Sequence, residues 1–167
     1  MQDTVQNYLD GVQSESTRRA VRVPMKAIAD RLSCQATSSA GLVITATSGK
    51  KVPKVGSVAF AGVVQGVPVA IAAGTDMPAL VGNITAGSYA IYCFFIDRAS
   101  TVTSVKGAEG TTLALAKFPP FPEGKALVGY IVVTYASTFT ADTTALDTAT
   151  TVYVSPVGAF DPTVLAS

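Results

Sequence analysis

The residues able to do chemistry are few. The chain has no histidine and two cysteines, Cys34 and Cys93. Without imidazole it lacks the commonest general base, the Ser-His and Cys-His nucleophile pairs and the commonest metal ligand. Two distant cysteines cannot supply a structural zinc site. Cys93 lies inside an apolar run and reads as a buried thiol acting as a small hydrophobe; a Cys34–Cys93 bridge is the alternative. Carboxylates in the second part of the chain are Asp76, Asp97, Glu109, Glu123, Asp142, Asp147 and Asp161. Nearly all stand beside Gly, Pro, Thr or Ser in expected turns, where Asp bonds its own backbone. They read as turn formers, not as the paired acids of a glycosidase. Asp142 and Asp147 lack the spacing of a calcium loop. Gly49-Lys50 lacks the earlier glycine of a phosphate loop, and Lys51 stands where Ser or Thr is required. Asn83-Ile84-Thr85 matches a glycosylation sequon, which matters only on a secretory route. The expectation is a protein that is not an enzyme and carries no cofactor and no metal.

The remaining concentration of charge is basic. Arg18, Arg19, Arg22, Lys26 and Arg31 crowd one stretch against Asp30. A solvated helix face, docking onto an acidic protein surface and contact with nucleic acid are the three readings. No aromatic platform accompanies the charges, which argues against nucleic acid. The net charge of +1 gives no global reason to expect it either.

The elements that carry these residues change character along the chain. Residues 1–39 form an arm rich in helix and cap formers. Met25, Ile28, Ala29 and Leu32 recur at helical spacing, and Pro24 suits a first turn, so a short amphipathic helix is predicted over 24–33. A second is predicted over 4–12 on Val5, Leu9 and Val12, with a flexible joint at 14–17. Residues 40–167 form a body of Val, Ile, Thr, Tyr and Phe broken by glycine. Strands are predicted at 42–47, 57–64, 67–72, 89–97, 101–105, 113–117, 127–135 and 150–154. Gln65-Gly66 predicts a tight hairpin, and Pro68 an edge strand. The fold class is mainly β: an antiparallel β-sandwich or jelly-roll-like body with a short helical N-terminal arm.

Hydrophobic residues make up 49% of the chain and charged ones 14%, against about 25% charged in an ordinary soluble domain. No membrane span explains this. The run from Val55 to Gly74 is broken by Gln65, Pro68 and glycines, and the polar N-terminus has no signal-like apolar segment. Two strands carry apolar residues on both faces. In one, Tyr89, Ile91, Cys93 and Phe95 oppose Ala90, Tyr92, Phe94 and Ile96. In the other, Ile131, Val133 and Tyr135 oppose Val128, Tyr130 and Val132. Either a further layer covers the second face or a subunit does. Tyr130, Val132 and Tyr135 are therefore candidate interface residues. The expected partner is the chain itself, as a homotrimer ahead of a homodimer. Phe118-Pro119-Pro120-Phe121-Pro122-Glu123-Gly124 reads as a stiff connector or a docking surface, with Xaa-Pro bonds open to the cis form.

Lys125-Ala126-Leu127-Val128-Gly129-Tyr130-Ile131-Val132-Val133 is followed by Phe139-Thr140, Thr143-Thr144-Ala145-Leu146-Asp147 and Val157-Gly158-Ala159-Phe160-Asp161-Pro162. Together with Gly74-Thr75-Asp76-Met77-Pro78-Ala79-Leu80 and the 118–124 segment, this series resembles small virion proteins of tailed bacteriophages, of the head decoration or head-fibre kind. The likeness covers about 54–162. It implies a structural component on the capsid exterior of the virion, with the major capsid protein or other virion proteins as partners. A tail-appendage or receptor-binding module is the alternative. Arg18, Arg19, Arg22, Lys26 and Arg31 are then the candidate capsid-docking residues.

Overall fold

Runs rich in β-branched and aromatic residues become strands where turns bound them. The computed structural model describes residues 15–45 and 52–160. Over these the chain is mainly β, with antiparallel sheets and an N-terminal helix. The helix α1 spans Glu15–Ser33. The strands are β1 (Cys34–Ala36), β2 (Val43–Ile44), β3 (Pro53–Lys54), β4 (Phe60–Val64), β5 (Val67–Ile71), β6 (Tyr89–Ile96), β7 (Val102–Lys106), β8 (Ala126–Thr134) and β9 (Thr150–Val154). The helix expected over 4–12 lies outside the described residues.

A three-stranded sheet, β1-β4-β5, packs against a four-stranded sheet, β7-β6-β8-β9, and β2 and β3 form a small separate ribbon. The expected hairpin is present. Val64 pairs with Val67, so Gln65 and Gly66 make the whole turn, with φ of 49° and 79°. Two positive φ values match the right-handed twist of the flanking strands. Pro68 sits in β5, an edge strand, as its missing N–H requires.

The core has two layers because β6 and β8 are apolar on both faces. Between the sheets lie Phe60, Val64, Tyr92, Phe94, Ile96, Ile131, Val133 and Phe139, all fully buried. On the far side of β6 and β8, Ile91, Cys93, Phe95, Leu127 and Tyr130 form a second cluster with Phe118, Phe121 and Phe160. A further layer from the same chain thus covers much of this second face. Cys34 and Cys93 are both buried and free.

One strand register departs from simple alternation. Phe94 pairs with Gly129 but Phe95 pairs with Leu127, leaving Val128 as the extra residue of a bulge. Val128 consequently joins the inter-sheet core, on the face opposite Tyr130. Period-two reading had placed both on one face; a bulge inserts one residue and reverses the count.

Two other expectations are corrected. Residues 113–117 are not a strand. Leu113–Leu115 form a 3₁₀ turn whose backbone bonds are local, Leu115 N–H to Thr112 O at 3.1 Å and Ala116 N–H to Leu113 O at 3.2 Å. Nor does the helix begin at Pro24. It spans Glu15–Ser33, includes residues 15–17 of the expected joint, and carries Pro24 internally. A proline removes one N–H bond, and here helix-compatible residues continue on both sides of it.

Candidate functional site

α1 leaves the body at β1, and its C-terminal half is fastened to the Pro-rich loop 118–124. Ser33 Oγ donates to Asp30 O at 2.9 Å, and the Gln35 side-chain amide donates to Leu32 O. These bonds occupy carbonyls that a helix end leaves unpaired. Asp30 is the anchor. Its carboxylate accepts the Gly124 N–H at 3.0 Å and the Gln65 side-chain amide at 3.4 Å. Gly124 has φ of 68°, so its turn is one that glycine adopts without strain. Lys26 Nζ pairs with Glu123 at 3.2 Å, with both side chains well exposed. Such a pair adds little energy and mainly orients. The Arg31 guanidinium lies 5.6 Å from the centroid of Phe121, within the range of a cation–π contact.

The five cations expected to dock all fall on α1. Arg18 and Arg19 belong to α1, and only their backbone is described. At about 100° per residue, Arg18, Arg19, Arg22 and Lys26 share one flank of the helix and Arg31 falls on the other. Arg22, Lys26 and Arg31 are all exposed. Two of these three already contact the Pro-rich loop.

That loop is the cover of the second core cluster, and its aromatic rings point inward. Phe118 meets Tyr130 edge-on at 4.9 Å between centroids, and Phe121 meets Phe95 edge-on at 5.1 Å. Phe160 stacks with Phe121 at 6.1 Å and lies 5.5 Å from Tyr130. Edge-to-face pairs at these separations add to the burial of the rings. The peptide bonds of the loop are trans. Tyr130 is 6% exposed, and burial raises its pKa. Expected at a subunit interface, the ring is covered by Phe118 and Phe160 of its own chain. Val132 is half-buried on the same face, and half-buried Tyr135 packs on the other cluster. The three candidates do not make one surface.

The carboxylates take structural roles where their contacts are described. Asp97 accepts the N–H groups of Ala99 and Thr101, each at 2.9 Å, closing its own turn. Glu109 pairs with Lys106 and accepts the Thr85 N–H at 3.0 Å. Asp161 lies outside the described residues. Among the described residues no group of three His, Cys, Asp or Glu side chains could hold a metal ion. A cleft of about 100 Å³ between α1 and the loop is lined by Asp30, Arg31, Cys34, Phe121 and Lys125. It is smaller than the roughly 300 Å³ at which small-molecule sites begin.

The sequence did not single out this tie. Asp30 and Gly124 are 94 residues apart, and the signals were the helix with one acid among cations and a glycine closing a proline run. No protein-family model matches the chain, and no curated protein or solved structure matches it.

Proposed function

We propose that this chain is a non-enzymatic structural component of a tailed-phage particle, a decoration or fibre-base protein on the capsid surface. The supporting observation is how the phage-like segments assemble. Residues 118–124 fold as an aromatic cover over β8, and Phe160 of the 157–162 segment completes that cover. The product is a β body with a helical arm fastened to it through Asp30. A decoration protein uses such parts to occupy repeated lattice sites, where many weak contacts add up. In this reading the arm docks on the major capsid protein or another virion protein through Arg18, Arg19, Arg22, Lys26 and Arg31.

Removal of residues 1–33 leaves β1 intact and tests the docking role. The trimmed body is expected to stay folded and to lose binding to capsids. Undiminished binding would end the proposal for the arm. Immunogold labelling of intact particles tests the station: even labelling of heads supports decoration, whereas label at the tail tip supports an appendage or receptor-binding module. Zymography on cell-wall material is expected to show no cleavage.

A further inference from the structure

α1 carries an apolar stripe that the described residues leave exposed. Val21, Met25, Ile28 and Leu32 are 50%, 63%, 56% and 60% exposed. Their spacings are four, three and four residues. That is the repeat of a heptad seam, which stays on one side of a helix wound about another helix. The body grips the opposite side of α1. Asp30, which holds the Gly124 N–H, lies about 170° around the helix from the centre of the stripe. Lys26, which meets Glu123, is also on that side. The body thus holds α1 near its C-terminal end, on the side away from the stripe, and leaves the seam uncovered. Val23 is 62% exposed as well, but it belongs to the back of the helix.

Two observations choose what covers the stripe. The first is width. An α-helix lying on a sheet or a lipid surface uses a broad arc of large apolar residues, whereas the four large ones here fall within about 60° of one another, flanked by the smaller Ala29 and Pro24 and then by Arg22 and Arg31. A helix with the same repeat fits it. The second is charge. Arg31 lies over Phe121 and Lys26 pairs with Glu123, so the body engages both. In a parallel, in-register pairing Pro24 of one helix approaches Ala29 of the next, and no like charges meet there. The seam also reports a number. Because Val21 precedes Met25 by four residues and Met25 precedes Ile28 by three, the β-branched Val21 and Ile28 hold the d positions, and Met25 and Leu32, unbranched at Cβ, hold the a positions. Leu-type residues at a with Ile-type residues at d favour bundles of three or four helices over two.

We propose that α1 is an oligomerisation seam and that its occupant is α1 of further copies of this chain, parallel, in a bundle of three or four. The inference is independent of the virion reading, since it rests on the helix alone.

Sedimentation of the full chain tests it. The wild type is expected to sediment as three or four chains. The double variant Met25→Glu/Ile28→Glu is expected to sediment as one chain, with its body still folded by circular dichroism because both residues are exposed in the single chain. A Val21→Cys variant is expected to form a disulfide-linked pair on mild oxidation, because parallel helices bring equivalent seam positions together. A monomeric wild type would overturn the proposal, including one that floats with phosphatidylserine vesicles. So would a double variant that keeps the wild-type sedimentation value. An oligomer in which Val21→Cys fails to cross-link would overturn the parallel arrangement. Capsid binding by a monomeric wild type would separate failure of this inference from failure of the virion reading.

Discussion

Glu109 accepts the Thr85 amide at 3.0 Å and pairs with Lys106, whose ammonium also donates to Asn83 O. Two charged side chains therefore clip the 83–85 turn to the end of β7. The Lys106 hydrogen bond, and after it the Thr85 amide, hold the Glu109 carboxyl down at about 2 from its ordinary 4.5. A carboxylate with a lower pKa in the folded chain stabilises the fold above its unfolded value, and that contribution is lost as pH falls through the folded one. The two side chains are 20% and 28% exposed, so water screens the pair. Glu109→Gln is expected to cost about 1 kcal/mol at neutral pH. The difference from wild type should shrink as pH drops from about 4.5 toward 2, as read from denaturant midpoints across that range. Cys93 shows the opposite environment. Burial raises its thiol pKa, and a thiolate is the reactive form. A thiol reagent is expected to leave Cys93 unmodified in the native protein and to label it on unfolding.

At the scale of elements, β8 is shaped by its bulge. Gly129 sits beside the extra residue Val128, and a Cβ there would stand 2.6 Å from Leu42 Cδ1 and 2.7 Å from Val154 O. The first obstacle is a side chain that can move; the second is the backbone of the neighbouring strand. Gly129→Ala is expected to destabilise the protein by about 1–3 kcal/mol through this overpacking. Pairing it with Leu42→Ala should recover little, because the Val154 carbonyl remains. Chemical denaturation of the two variants reads both numbers. Most strands were legible because their residues alternate or are wholly apolar between turn residues. The 113–117 segment resembled a strand by the same rule. It failed because its Leu-Ala alternation bonds back to Thr112 and Leu113 and finds no strand partner.

At the scale of the molecule, the aromatic cover decides how much of the β8 surface remains for a partner. Tyr130 lies under Phe118 and Phe160. Tyr130→Asp places an unpaired carboxylate in that cluster, at a cost of several kcal/mol. The variant is expected to lose its fold, read by circular dichroism, and not merely to dissociate. A folded variant that sediments as a smaller species would return Tyr130 to an interface. Phe118→Ala is expected to destabilise by about 2–3 kcal/mol, below the ~3–5 kcal/mol of a fully buried Phe because the ring is only half-buried. An intact melting curve for Phe118→Ala would show that the loop does not hold the cover.

The β class, the helical arm, the Gln65-Gly66 hairpin and the surplus apolar face on β6 and β8 are all legible in the order of residue types along the chain. These follow from local chemistry: side-chain branching, turn residues and the period of the apolar pattern act over a few neighbours. That order left two coverings open for that surplus face, a layer or a subunit. That residues 118–124 and Phe160 return to cover much of it emerges on folding, since the loop's path depends on contacts far along the chain. The same holds for α1. Its apolar spacing was readable, but which side the body grips depended on Asp30 reaching Gly124, 94 residues away.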